Sequence, residues 1–148
     1  MHGDFTHILS SGTLPPAPNV VLANPPYVRH HHVSREDKEG LKALVFKMTG
    51  VELSGLAGLY VHFLLLATAW MESDGVAAWL IPSEFMDVNY GAALKGFLAD
   101  RVSLLRVHRF DPGDAQFGDA IVSSAVLVFR KASPQPDRRS RGGTASAR

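Results

Sequence analysis

The sequence predicts an α/β fold in which a mostly parallel sheet closes with a C-terminal antiparallel hairpin. Two short segments, Val20 to Ala23 and Val76 to Ile81, are apolar at every position. Strands of that kind are expected in a parallel sheet with helices on both faces, where neither side meets water. Between them Leu56, Leu59, Tyr60, Phe63, Ala67, Trp70 and Met71 recur at three and four, the period of a helix. Alternating strand and helix imply parallel pairing, and the short link between the last two strands implies the hairpin.

Taken in order, Ser10 to Asn19 is a loop leading into the first strand. His30 to Lys47 is polar and charged as far as Lys42, with a short helix expected around Glu36 to Phe46. The apolar helix that follows has Ser54 available as its N-cap and Gly75 beyond its end. Pro82 should stop the second strand. Asn89 to Leu98 reads as a further helix, with Leu94, Phe97 and Leu98 on one side. Val102 to Phe110 and Val122 to Phe129 complete the sheet, the last rich in β-branched residues. Residues 132–148 have no apolar period and are expected to be a disordered basic tail, which leaves 1–131 as a single domain.

A chain of 148 residues suffices for one domain with a real core but not for two. The absence of cysteine excludes disulfides and thiolate metal sites, and the spacing of His30, His31 and His32 argues against a metal site there, because neighbours on an extended chain point to opposite sides. The longest apolar run, Phe63 to Met71, is too short to span a bilayer, and the N-terminus lacks a signal-peptide pattern. A cytoplasmic location without membrane contact is therefore expected. The formal charge of +1 is uneven: Arg138, Arg139, Arg141 and Arg148 face only Asp137 in the tail, whereas residues 1–131 carry 11 basic and 13 acidic side chains. The folded part lacks the positive stripe of a nucleic-acid binder, so any grip on phosphates would come largely from elsewhere.

Chemistry concentrates in Asn24-Pro25-Pro26-Tyr27, directly after the first strand. Ligands of open α/β sheets sit at the carboxyl ends of the strands. Two prolines stiffen the loop. Asn24 offers a side-chain oxygen and Pro25 a carbonyl, both able to accept from a planar exocyclic amine, while Tyr27 can stack on the ring that carries it. Acceptors placed out of the ring plane favour a pyramidal nitrogen and aim its lone pair at an electrophilic methyl group. No strong base is required, because the proton becomes acidic only after transfer and leaves to water.

On these residues the chain resembles the NPPY-type (gamma-class) N6-adenine DNA methyltransferases of restriction-modification systems, which use S-adenosylmethionine. The resemblance runs from about His2 to Lys131 and covers only the second part of that family's catalytic domain. It implies a partial Rossmann-like methyltransferase sheet and a catalytic loop formed by Asn24, Pro25, Pro26 and Tyr27. Gly3-Asp4-Phe5 is similar to the family's acidic-aromatic element, so the resemblance implies that Asp4, Phe5 and Asn24 contact the cofactor. Phe117, before the last strand, resembles the second aromatic that would sandwich a flipped-out adenine with Tyr27, and Phe110 is the other candidate. The segment Leu80 to Phe85 would shape the pocket wall, with no proton transfer assigned to Glu84.

The chain departs from the family pattern in one respect. No G-x-G occurs in it, so the glycine-rich loop and the acidic ribose contact would have to precede Asp4, and no target-recognition domain is present. The implied partners are DNA and a missing N-terminal half, or a partner subunit, that supplies both elements. Two alternatives stay open: a protein-glutamine or RNA-guanine N-methyltransferase, which also holds a planar amine or amide in such a loop, and an inactive remnant or regulatory module that keeps a base pocket.

Overall fold

The structure is a computed structural model that describes Phe5 and residues 15–27, 34–110 and 123–134. Its elements are β1 (Val20–Ala23), α1 (Arg35–Thr49), α2 (Leu59–Trp70), β2 (Val76–Pro82), α3 (Ala92–Asp100), β3 (Ser103–Arg109) and β4 (Ser124–Arg130). Among the described residues the strands form one sheet in the order β1-β2-β4-β3. β1 and β2 are parallel, with Val20 opposite Val76 and Ala23 opposite Trp79. β4 runs antiparallel to both of its neighbours, so β1, β2 and β3 share one direction. This is the α/β arrangement expected from the sequence, with the hairpin strand inserted beside β2.

Alternation along the strands defines two faces. Val21, Ala23, Ala77, Trp79, Ile81, Ala125, Leu127 and Phe129 share one of them. From β2 and β4 these are fully buried and join Tyr60, Val61, Leu64, Leu65 and Met71 of the α2 region in a single core. α1 covers α2 and contributes Val45, and α3 adds Leu94, Phe97 and Leu98. The other face holds Val20, Leu22, Val76, Ala78, Leu80, Val126 and Val128. It is uncovered at its β1 end, where Val20 is 66% and Leu22 86% exposed. The expectation that β1 is buried on both faces is therefore corrected: one side packs, and the other has no covering element among the described residues.

Element ends differ from the expected ones for local reasons. α1 starts earlier because Ser34 caps it, its Oγ accepting from the Asp37 amide at 3.0 Å, and it ends on Gly50 in left-handed geometry (φ 70°). Ser54 does not cap α2. It closes a preceding turn, accepting from the Leu56 amide at 3.2 Å, and α2 begins after Gly58. Pro82 is the last residue of β2 rather than the residue after it. Asn89–Gly91 is a 3-10 turn, so α3 starts three residues later than its apolar period suggests. A second 3-10 turn, Ser83–Met86, follows β2. Residues 135–148 of the expected tail lie outside the described residues.

The two 3-10 turns cross closely at Gly91, where a Cβ would stand 2.0 Å from the Phe85 carbonyl oxygen. Gly91→Ala must push backbone from backbone and is expected to destabilise the fold by about 3 kcal/mol, measurable as a lower denaturant midpoint. A change confined to noise would show that the crossing relaxes without cost.

His62 of α2 is 4% exposed. Its Nδ1 lies 3.2 Å from the Gly58 carbonyl and its Nε2 has no partner among the described residues. Burial pushes its pKa below the ordinary histidine value, the Gly58 carbonyl opposes this and Lys42 adds to it. The unfolded chain thus takes up a proton near pH 6.5 while the folded one does not, so this stability is complete above that pH and falls as the solution is acidified. His62→Leu is expected to flatten the acid side of the thermal-midpoint profile, and an unchanged slope between pH 5 and 7 would exclude His62 as its cause.

Candidate functional site

The Asn24–Tyr27 loop leaves the carboxyl end of β1 beside the end of β2. Asn24 is exposed, Pro25 buried, Pro26 exposed and Tyr27 half-buried. The prolines face an open, apolar pocket of about 250 Å³, lined by Phe5, Val21, Ala23, Pro25, Pro26, Phe63, Ala67, Trp70 and Trp79. Phe5 stacks on Phe63, with centroids 5.5 Å apart and planes at 27°, and lies 6.0 Å from the Trp70 ring. Trp70 is steadied by its Nε1–H, which donates to the Pro15 carbonyl at 3.1 Å. The volume falls just below the roughly 300–1,000 Å³ of pockets for drug-sized ligands, which suits one flat ring system rather than a long cofactor.

Tyr27 turns to β2 instead. Its hydroxyl donates to the Leu80 carbonyl at 3.1 Å. Burial raises its pKa, and the Ser124 side chain partly opposes that. Next to it the ends of β2, β3 and β4 are tied by hydroxyls. The Ser83 amide donates to the Ser123 carbonyl at 2.8 Å and Ser83 Oγ to Ser123 Oγ at 2.9 Å. The Phe110 amide donates to the Ser124 carbonyl at 3.0 Å. Arg109 and Asp87 form a two-pronged ion pair, at 2.7 and 3.3 Å, across the rim. Glu84 is exposed there.

The structure thus brings Phe5 together with Pro25 and Pro26, and places Asn24 at the mouth. Asp4 and Phe117, together with Arg29 and His30–His32, lie outside the described residues. Phe110 is half-buried at the end of β3, edge-on to His108 at 4.8 Å. Sequence reasoning missed Trp79 and Ser124 as neighbours of the loop. It placed Phe63, Ala67 and Trp70 on one helix face but not around a pocket, although their 63-67-70 spacing was the available signal. Among the described residues no acidic or histidine cluster could hold a metal ion, and no helix is long and apolar enough to cross a membrane.

The profile of the Eco57I restriction-modification methylase family matches residues 19–117, which contain the loop, the pocket helix and strands β1 to β3. The chain belongs to this family. It is 36% identical over 119 residues to the Type II methyltransferase M.XamI of Xanthomonas campestris pv. amaranthicola, covering 79% of this chain and 22% of that protein. It is 29% identical over 108 residues to the Type II methyltransferase M.AccI of Acinetobacter calcoaceticus, covering 73% and 19% respectively. The chain spans about a fifth of the length of these two relatives. Among solved structures it is similar in fold to the type IIG restriction endonuclease BpuSI, with a TM-score of 0.62 and 23% identity over 79% of this chain and 14% of that one.

Proposed function

We propose that this chain is the acceptor-side part of an S-adenosylmethionine-dependent DNA methyltransferase acting on the N6 amine of adenine. The observation that carries the reading is the loop itself. A stiff Asn24–Tyr27 turn stands at the end of β1 between an aromatic pocket and the pinned Tyr27 ring. Membership of a restriction-modification methylase family, and relatives named as Type II methyltransferases, support methyl transfer in a restriction-modification system.

The pocket fits the purine ring of the cofactor: Phe5, Phe63 and Trp70 offer flat apolar walls, and its size admits one ring system. Asp4 would accept from that purine's amine. When bound, the cofactor supplies an electrophilic methyl group. The chain's own residues do the remainder. Asn24 Oδ1 and the Pro25 carbonyl accept from the target amine and hold it pyramidal, and Tyr27 and Phe117 stack on the flipped base. The proton is released to water from the methylated amine.

The uncovered face with Val20 and Leu22, together with the open edge of β1, supports a further half of the catalytic domain, upstream or on a partner subunit, that brings the glycine-rich loop. Target recognition would come from an added domain.

Both tryptophans of the chain, Trp70 and Trp79, line the pocket. Titration with S-adenosylmethionine, in the presence of the upstream half, is therefore expected to change nearly all tryptophan emission. Phe63→Ala should weaken binding about three- to ten-fold. Binding without any emission change would place the cofactor elsewhere. Methylation of a glutamine-bearing peptide or of ribosomal-RNA guanine, instead of DNA adenine, would reassign the substrate.

A further inference from the structure

The sheet face turned away from α2 is apolar across β1, β2 and most of β4, and cationic along β3. Val20, Leu22, Val76, Ala78, Leu80, Val126 and Val128 are exposed or half-buried there. Residues directly opposite one another in a sheet share a face. β3 therefore adds Arg106, opposite Val128, and His108, opposite Val126, while the end of β4 adds Arg130, opposite Val76. Arg106 and Arg130 are diagonal neighbours, both exposed, and neither has an ion pair among the described residues. No strand residue on this face is acidic. Like charges on neighbouring strands disfavour each other, and anionic groups on a partner would remove that penalty.

The dimensions of the face select the partner's shape. From β1 to β4 there are two inter-strand gaps, about 10 Å, which is the diameter of one α-helix. From Val76 to Leu80 is about 13 Å, or two to three helical turns. Arg130 and Arg106 stand two residues apart in the register of β4, about 6.6 Å, and positions i and i+4 of a helix are about 6 Å apart along its axis. Carboxylates at that spacing meet both guanidiniums, and one a further four residues on falls level with His108.

We infer that this face docks an amphipathic α-helix whose apolar stripe covers β1, β2 and β4, and whose flank over β3 carries acidic side chains at every fourth position. A duplex offers phosphates but nothing to cover Leu22, which is 86% exposed. Arg130 stands beside the amino end of β2 and Arg106 midway along β3, away from the carboxyl end of β1 where the Asn24–Tyr27 loop lies. A second copy brings the same cations and no acid. The further half of the catalytic domain is a source for such a helix, and the inference rests on the proposed function for that source alone.

Three synthetic peptides of about 18 residues, long enough to be helical, share one apolar stripe and carry Glu, Gln or Lys at every fourth flank position. Each is labelled with fluorescein and titrated with the full chain at low ionic strength, affinity being read by anisotropy. The Glu peptide is expected to bind about three- to ten-fold more tightly than the Gln peptide, and the Lys peptide more weakly than either. Added salt should narrow that gap. Arg106→Gln/Arg130→Gln should make the three alike, and Arg106→Glu/Arg130→Glu should invert the order in favour of Lys. Both sites are exposed, and far-UV circular dichroism checks that the variants keep the fold. Leu22→Ser should weaken all three peptides equally.

Equal affinity for the Glu and Gln peptides, binding of none of the three, or a preference that survives Arg106→Gln/Arg130→Gln overturns the inference. So does binding of labelled duplex DNA or of phosphatidylserine vesicles that Arg106→Gln/Arg130→Gln removes and the Glu peptide fails to compete, or a dimer of the chain that Leu22→Ser dissolves. The assay uses neither cofactor nor methyl transfer. Its failure therefore leaves the reading of the Asn24–Tyr27 loop standing, and failure of methylation leaves the docking face.

Discussion

Asn24→Ala, in the chain joined to its upstream half, is expected to lower kcat for adenine methylation by about 10²–10³ while leaving DNA affinity nearly unchanged. That is the usual loss when one preorganised polar group facing the reacting centre is removed. Asn24 is exposed at the mouth, just ahead of the buried Pro25, so its loss disturbs no packed side chain. The oxygen it offers matters most as the amine becomes pyramidal, which places the effect in kcat and not in binding. Asn24→Asp keeps an acceptor oxygen and should lose much less. Single-turnover transfer of labelled methyl to duplex DNA separates these outcomes. Equal rates for Asn24→Ala and the parent would remove Asn24 from the chemistry.

Phe129→Ala is expected to cost about 3–5 kcal/mol of stability. Phe129 is fully buried in the middle of the sheet, opposite Ala77 on β2 and Leu104 on β3. Both opposing side chains are smaller than the one removed and α2 seals the face, so the site has little to collapse with. Against the roughly 5–15 kcal/mol available to a domain, the variant is left marginal. Urea unfolding followed by far-UV circular dichroism would show a lower midpoint at unchanged slope. A loss under 1 kcal/mol would mean that neighbours close the cavity.

The strand and helix periods made most of the fold legible, because each records which side of an element meets a packed neighbour. They located β1 and β2, the pocket helix and the hairpin. They did not show that Val20 and Leu22 lie open, since an all-apolar strand does not tell which of its two faces the rest of the chain covers. Ends governed by single hydrogen bonds were harder to place. Ser54 closes a turn where a cap was expected, whereas the cap of α1, Ser34 with Asp37 three residues on, was present in the sequence as a capping pattern. The Asn24–Tyr27 loop was readable because it is contiguous. Its pocket was not, because Phe5, Phe63, Trp70 and Trp79 meet only once the chain has folded. The Tyr27–Leu80 bond links residues 53 positions apart, and no spacing rule reaches that far.

β1, an edge strand of the sheet among the described residues, is also the strand that carries the Asn24–Tyr27 loop. A segment that paired with β1, as the proposed function expects of the further half, would anchor the strand from which the Asn24–Tyr27 loop leaves, so completing the sheet and arming the loop would be one event. If the two parts were made separately, the proposed function would carry an interlock, in which neither part could transfer a methyl group before it had met the other.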